Sequence, residues 1–260
     1  MMIQVDYRRD CEAMGTRFEV FLSGQDPQHL EAVAVAVCTE VIRLDKVLSR
    51  FDPGSEIARI NREAGDRPVR IDREVFALLE RCEQARELTN GYFDITAASV
   101  GNGMELDAEH CLIRFKRSDV VIDLGAIGKG YALDCGREIL SRFGVDGGLL
   151  NGGTSSILAL GGPFAIDLRH PLLPNQTIRQ IELANRALSC SAVRHPAQTE
   201  SDVVNPLTGA RLSGNDACLV LAESAVEAEI FSTALLAMGR EQADAYQEKM
   251  NCSGLQAEWF

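Results

Sequence analysis

Residues 120–134 read VVIDLGAIGKGYALD, a segment that joins an apolar run to three glycines and a lysine. The branched apolar residues predict a buried strand over residues 119–124, and we expect a helix to follow over roughly residues 128–143. Glycines let a phosphate approach the backbone, a helix start offers free N–H groups, and Lys129 adds a positive charge. The segment therefore predicts a phosphate or dinucleotide cradle. A strand–turn–helix corner, with glycines needed only for packing, explains the pattern equally well.

Upstream of this segment, the spacing of apolar residues predicts one strand and three helices. A strand alternates apolar and polar side chains, whereas a helix repeats its apolar side chains every three or four residues. Helix starts favour Asp and Ser, and helix ends favour Gly. These rules give a strand over residues 17–23, a helix from Asp26-Pro27 to Leu48, a short helix over residues 55–63, and a helix that Asp72 caps and that ends before Gly91.

Downstream, short apolar segments separated by Gly and Pro predict mainly strands. The absence of a regular βαβ rhythm favours the α+β class. No linker, repeat or low-complexity segment interrupts the chain, so we expect residues 1–260 to form a single compact unit. The predicted elements are a strand over residues 111–115, several strands between Gly147 and Leu221, a strand over residues 217–222, a helix from Ser224 to Met238, and a final helix and short strand.

The composition is that of an ordinary globular protein, with 46% hydrophobic and 25% charged residues. A net charge of −12 argues against nucleic acid or an anionic membrane as the main partner. No apolar run reaches the roughly 18 residues of a membrane span, and the charged N-terminus lacks a signal-peptide core. The eight cysteines lack CxxC or zinc spacing and are interpreted as reduced thiols; the four histidines, including His195, show no metal-ligand spacing either. We therefore expect a cytoplasmic protein.

A second candidate cluster lies in residues 227–239, EAEIFSTALLAMG. Glu229 and Thr233 are four residues apart and project from the same face of the predicted helix, with Ser232 beside them. A carboxylate and a hydroxyl are oxygen ligands that suit a hard cation such as Mg²⁺. The simpler interpretation is a solvated Glu229 and a Thr233 that bonds to its own helix backbone.

A third candidate is the segment SDVVNPLTGA, residues 201–210. Two apolar residues there are flanked by Asp202 and Asn205 and are followed by a Pro-Leu-Thr-Gly turn. Asp202 is a candidate general base if it faces a pocket. The alternative is an ordinary turn at the end of a strand, since turns of this composition are common.

Taken in order, these segments resemble the ApbE family, the FAD:protein FMN transferases. The resemblance covers nearly the whole chain and rests on seven motifs in family order. These are AMGT at 13–16, SRFD at 49–52 with SEIARIN at 55–61, GYFDIT at 91–96, IDLGAIGKGYA at 122–132, NGG at 151–153, PLTG at 206–209, and TA at 233–234 with Gly239.

The resemblance implies a single α+β unit of T-fold-like topology that binds FAD and Mg²⁺. It implies transfer of FMN from FAD to a threonine or serine hydroxyl of an acceptor flavoprotein, with release of AMP. Carried over by position, the flavin nucleotide would contact Met14, Phe51, Tyr92, Phe93, Asp94, Asp123, Lys129 and Val204. The metal would be held by the carbonyl of Ala126 and the side chains of Glu229, Ser232 and Thr233.

Four features depart from the family pattern: the residues at 229 and 202, the turn Cys190-Ser191-Ala192, and a shorter segment between Thr96 and Asp123. Where the family has a metal-binding aspartate, this chain has Glu229. Where the family has a histidine that serves as the base, this chain has Asp202, which becomes the candidate catalytic base. Three functions therefore stay open, and the first is favoured because both positions keep an acidic side chain. The chain is an FMN transferase that uses a carboxylate base, an FAD-binding paralogue that binds flavin or a partner without transfer, or a metal-dependent FAD pyrophosphatase in which water replaces the acceptor hydroxyl.

Overall fold

A computed structural model describes residues 4–99, 101, 103–170, 173–193, 201–250 and 255–260. The helices are α1 (Pro27–Leu48), α2 (Glu56–Glu63), α3 (Arg73–Leu88), α4 (Gly128–Arg142), α5 (Ala225–Met238) and α6 (Arg240–Met250). The strands are β1 (Tyr7–Ala13), β2 (Thr16–Ser23), β3 (Val69–Arg70), β4 (Met104–Asp107), β5 (Leu112–Phe115), β6 (Gly147–Gly152), β7 (Ser156–Leu160), β8 (Phe164–His170), β9 (Leu173–Leu183), β10 (Ala187–Ala192), β11 (Ala217–Ala222) and β12 (Gln256–Trp259).

The centre of the molecule is a seven-stranded sheet in the order β1-β2-β6-β7-β10-β11-β12. Each neighbouring pair in this sheet is antiparallel. Smaller sheets are formed by β3-β5-β4 and by the hairpin β8-β9. Antiparallel sheets combined with separate helices form an α+β architecture, which confirms the predicted class.

Helices cover one face of the large sheet, and the β8-β9 hairpin covers the other. Strand β10 shows this arrangement, because Ala187 packs into the core under the helices while Leu188 packs against the hairpin. Adjacent residues of a strand point to opposite faces, so each central strand contributes to two apolar layers. The hairpin contributes Phe164, Ile166 and Leu168 to the second layer.

The prediction of a strand over residues 119–124 is wrong. Every second residue from Val120 to Leu124 is buried, but the segment forms no ladder with another strand, and one loop carbonyl and two side chains bond to its backbone instead. The Asn61 amide accepts a hydrogen bond from the N–H of Ile122 at 2.8 Å and donates one to its carbonyl at 2.9 Å. Ser99 Oγ accepts a hydrogen bond from the N–H of Val121 at 3.0 Å. The carbonyl of Ile95 accepts one from the N–H of Asp123 at 2.8 Å.

Helices α4 and α5 cap each other. Asp134 on α4 accepts hydrogen bonds from the first two N–H groups of α5, those of Ala225 and Val226, both at 3.0 Å. Glu229 on α5 accepts one from the N–H of Gly130, in the first turn of α4, at 2.7 Å. Carboxylates at helix starts satisfy orphan donors and favour the helix dipole, so this reciprocal pair fixes the two helices relative to each other.

The predicted helix starts are confirmed. Side chains of Asp26, Asp72 and Ser224 accept hydrogen bonds from backbone N–H groups in the first turns of α1, α3 and α5. Among the helices in the described part of the chain, none is both long enough and apolar enough to cross a membrane.

Candidate active site

A cavity of about 340 Å³, here called the first cavity, opens where the start of α4, the middle of α5 and residues 201–206 meet. Residues of the 92–98 segment and the end of β10 complete its wall. Most of the residues predicted for the site line it, although they are far apart in sequence. They are Tyr92, Phe93, Asp94, Asp123, Ala126, Lys129, Asp202, Val204, Glu229 and Thr233.

A second cavity of about 280 Å³ contains the other two predicted nucleotide contacts, Met14 and Phe51. It shares Asp123, Gly125 and Lys129 with the first cavity, and we call these three residues the shared wall. The two cavities are therefore neighbours on either side of residues 123–129.

Arg50 holds the carboxylate of the shared wall in place. Its Nε lies 3.2 Å from Oδ2 of Asp123, while Oδ1 of the same carboxylate accepts a hydrogen bond from the N–H of Gly125 at 2.9 Å. The Arg50 guanidinium also stacks 4.5 Å from the centre of the Phe51 ring, which is 81% exposed. An exposed ring backed by a cation is a suitable surface for a planar ligand.

Glu229 is the buried anion of the first cavity, with only 3% of its surface exposed. Its Oε1 accepts a hydrogen bond from the Ser156 hydroxyl at 2.5 Å and lies 3.5 Å from Nζ of Lys129. Its Oε2 accepts the bond from the N–H of Gly130 described above. A buried carboxylate is tolerated only when it is paired and hydrogen-bonded, and both conditions are met here.

A group of four hydroxyls, the hydroxyl cluster, connects β10 to α5. Ser232 is fully buried, and its Oγ lies 3.1 Å from that of Ser189 and 2.9 Å from that of Ser191. Ser191 Oγ lies 3.3 Å from Oγ1 of Thr233, which lines the first cavity. Ser232 itself lines neither cavity described above. Its assignment as a metal ligand stays a prediction.

Residues 201–206 form a turn that hydrogen bonds fix in place, and Asp202 and Val204 of this turn line the first cavity. The Asn205 amide accepts hydrogen bonds from the N–H groups of Leu207 and Thr208 and donates one to the carbonyl of Ala237 on α5 at 3.1 Å. Arg211 donates to the Ser201 carbonyl at 2.5 Å. Because the turn is tied to α5, Asp202 has a defined place at the cavity edge.

Cys190 also lines the first cavity, but its environment suppresses its reactivity. Burial raises the pKa of this thiol to about 11, so little thiolate exists at neutral pH. Of the histidines in the described ranges, none lines either cavity; His195 lies outside those ranges.

Sequence reasoning missed four residues that support the site. Ser156 holds Glu229, Ser189 and Ser191 belong to the hydroxyl cluster, and Arg50 pairs with Asp123. Two serines at positions 189 and 191 of a strand share a face, and that period of two was the available signal. Arg50 lies in the SRFD motif and Ser156 in no recognised motif, and local spacing indicated neither role because their partners are remote in sequence.

Comparison with known proteins bears on this arrangement. The model of the ApbE family matches residues 14–257. This chain belongs to the ApbE family. A protein of Klebsiella pneumoniae named FAD:protein FMN transferase is 24% identical over 252 residues, which are 84% of this chain and 79% of that protein.

Solved structures agree on the fold of this ApbE-family chain. The ApbE protein of Thermotoga maritima superposes with a TM-score of 0.87 at 22% identity, over 98% of this chain and 93% of that chain. The flavinyl transferase ApbE of Pseudomonas stutzeri gives a TM-score of 0.83 at 21% identity, over 99% and 90% of the two chains. Both cavities lie within the residues matched to the ApbE family.

Proposed function

We propose that this chain transfers the FMN part of FAD to a threonine or serine hydroxyl of an acceptor flavoprotein and releases AMP. The observation that carries the proposal is the meeting of Asp202, Lys129 and Thr233 in one cavity that shares a wall with a second. FAD has two ring systems joined by a diphosphate, and two neighbouring cavities separated by a lysine-bearing wall suit such a ligand. Membership of the ApbE family and the name of the Klebsiella relative support the same reaction.

The transfer is a phosphoryl-type substitution. The acceptor oxygen attacks the phosphorus of the FMN half, and the bond from that phosphorus to the oxygen bridging to AMP breaks. The proton of the acceptor hydroxyl passes to the carboxylate of Asp202, and AMP leaves with the bridging oxygen. In such reactions positioning and charge stabilisation supply most of the rate, so the fixed geometry of Lys129 and of the shared wall is central.

The residues of the first cavity fit a hard divalent cation such as Mg²⁺. The Ala126 carbonyl, the Glu229 carboxylate and the Thr233 hydroxyl are all oxygen donors on one cavity wall, with Ser232 adjoining Thr233. No cluster of three His, Cys, Asp or Glu side chains able to hold a metal occurs among the described residues, so diphosphate and water would complete the coordination. When bound, the cation would offset charge on the diphosphate.

The flavin nucleotide contacts assigned by resemblance belong to the same proposal. Asp94 accepts hydrogen bonds from the N–H and hydroxyl of Thr96 at 2.7 and 2.6 Å, so its carboxylate is held at the wall of the first cavity. Phe51 in the second cavity offers an exposed ring face. We assign the two ring systems of FAD to the two cavities and the diphosphate to the shared wall.

The test is to mix the purified chain with FAD, MgCl₂ and a family-type acceptor domain, and to follow acceptor mass and AMP. A mass gain equal to FMN, accompanied by equimolar AMP, is the expected result. The control is the same acceptor with its receiving threonine or serine changed to alanine, which should gain no mass. AMP without a mass gain would identify an FAD pyrophosphatase instead, and tight FAD binding without AMP would identify a flavin-binding paralogue.

The location and organisation of the chain are part of the same proposal. We propose a cytoplasmic protein, which seven free cysteines among the described residues support. We also propose a single domain over residues 1–260, because the central sheet joins strands from both ends of the chain. Nucleic acid is not proposed as a partner, in view of the net charge of −12.

A further inference from the structure

The carboxylate of Glu229 is already occupied by the protein. Oε1 accepts from Ser156 and faces the Lys129 ammonium, and Oε2 accepts from the N–H of Gly130. The two oxygens of a carboxylate offer about four acceptor positions, and two hydrogen bonds together with the ion pair to Lys129 leave little free capacity. Ser156 and Glu229 are 1% and 3% exposed, so water cannot easily replace these partners.

These contacts depend on the length of the glutamate side chain. Glu229 reaches across from α5 to the first turn of α4 and to β7 at the same time. An aspartate at this position would be shorter by one methylene and could not keep both hydrogen bonds with the backbone unchanged. In the chain without a bound diphosphate, the glutamate therefore caps α4 and is the counter-charge of Lys129.

The other ligands proposed for the metal carry no charge. The further carboxylates of the first cavity are not among these ligands; they belong to Asp94, Asp123 and Asp202. Ala126 offers a backbone carbonyl and Thr233 a hydroxyl, while Lys129 adds a positive charge to the same wall. A divalent cation that approached the chain alone would meet a carboxylate already neutralised by an ammonium. A diphosphate changes this balance, because it brings negative charge for the ammonium and oxygen ligands for the cation.

We propose that a divalent cation binds this chain only together with a diphosphate ligand such as FAD, because the chain itself keeps the Glu229 carboxylate occupied. The inference rests on the proposed function, since it assumes that the diphosphate lies at Lys129. It assigns Ser156 as a positioning residue that fixes Glu229 and, through it, Lys129.

The test uses Mn²⁺ as the probe and measures the free ion by electron paramagnetic resonance. For the chain alone we expect no saturable Mn²⁺ site up to about 1 mM. With FAD present, and after subtraction of a blank that contains FAD without protein, we expect one saturable site at least about tenfold tighter. FMN is the matched ligand control, because it carries the same flavin with a single phosphate and should not produce this site.

Two variants test the role of the occupied carboxylate. Glu229→Asp should release its carboxylate and bind Mn²⁺ without FAD about tenfold more tightly than the parent chain. Glu227→Asp, the same change on a half-buried residue of the same helix, should leave Mn²⁺ binding as in the parent. If circular dichroism shows that Glu229→Asp has lost its fold, Ser156→Ala removes one donor from the same carboxylate and should shift Mn²⁺ binding in the same direction.

Two results would overturn the inference. One is a parent chain that binds Mn²⁺ equally tightly with and without FAD, and the other is a folded Glu229→Asp or Ser156→Ala variant that gains no Mn²⁺ affinity. Acceptor mass distinguishes this failure from failure of the proposed function. A chain that transfers FMN but binds Mn²⁺ without FAD contradicts only the inference, whereas FAD-dependent Mn²⁺ binding without FMN transfer contradicts only the proposed function.

Discussion

Asp202 is the residue on which the proposed reaction depends most directly. It lies at the edge of the first cavity on a turn that Asn205 ties to α5. We predict that Asp202→Ala lowers the rate of FMN transfer by roughly 10²–10⁴-fold, because the acceptor hydroxyl loses its general base. FAD affinity should change by less than about threefold. Acceptor mass against time, together with FAD titration, measures the two effects.

A companion variant distinguishes the base from a merely structural carboxylate. Asp202→His supplies an imidazole, a stronger base than a carboxylate, and should retain FMN transfer where alanine does not. Asp216→Ala, at an exposed residue outside both cavities, is the control and should behave like the parent. Equal FMN transfer by Asp202→Ala and the parent chain would remove Asp202 from the mechanism.

Cys190 provides a prediction with a defined pH dependence. Burial raises the pKa of its thiol to about 11, so the reactive thiolate is roughly a thousandth of the population at pH 8. Alkylation of Cys190 by iodoacetamide should therefore be slow at pH 8 and should rise about tenfold per pH unit toward pH 10, still below the pKa. Peptide mass spectrometry measures the rate, and the urea-unfolded chain is the control. Alkylation as fast as in urea would contradict the prediction.

At the residue scale, sequence reasoning identified side chains that supply chemistry and missed those that hold them. Asp123, Lys129 and Glu229 belong to recognisable segments, and the structure brings them to one wall. Ser156 and Arg50 act through partners that are remote in sequence, namely Glu229 and Asp123. Such contacts depend on tertiary packing, which local spacing does not encode.

At the scale of elements, helices were predictable because their signals are local. The caps at Asp26, Asp72 and Ser224 lie at the helix starts they mark, and the structure confirms them. Residues 119–124 show the opposite case. Their apolar pattern correctly indicates burial, but the partners of their backbone come from Asn61, Ile95 and Ser99, so a pattern that suits a strand occurs without a sheet.

The contact between α4 and α5 leaves no room for a side chain at Gly130. A β-carbon there would lie 2.6 Å from the Ala225 carbonyl oxygen and 3.0 Å from Oε2 of Glu229. Gly130→Ala should therefore lower the free energy of unfolding by about 1–3 kcal/mol, because the backbone of α5 has to shift. Urea denaturation followed by circular dichroism gives the value.

Gly128 supplies the matched control on the same helix. A β-carbon at Gly128 would meet only Sδ of Met14 at 3.8 Å, which is an ordinary contact. Gly128→Ala should leave stability unchanged or raise it by up to about 1 kcal/mol, because alanine favours the helix. If both variants lose the same stability, a general intolerance of side chains in the first turn of α4 would account for the effect, and the close approach of α5 would not.

At the scale of the whole molecule, the central sheet carries one apolar layer on each face. The helices pack on one face and the β8-β9 hairpin on the other, while β10 contributes Ala187 to one layer and Leu188 to the other. Unfolding of such a strand therefore disrupts both layers at once. We therefore expect one cooperative transition for the whole chain.

Ile166 tests this expectation from the hairpin side. Its side chain is buried against the sheet, so Ile166→Ala should lower the free energy of unfolding by about 2–5 kcal/mol. The exposed neighbour Asp167 points away from this layer, and Asp167→Ala should cost less than about 1 kcal/mol. Far-ultraviolet circular dichroism and the fluorescence of Trp259, the single tryptophan, should report the same midpoint in every variant. If Ile166→Ala splits the transition, the hairpin layer unfolds independently and the single-domain proposal fails. If both midpoints fall together, Ile166→Ala, although remote from both cavities, destabilises the whole structure that holds Asp202 and Glu229 in place.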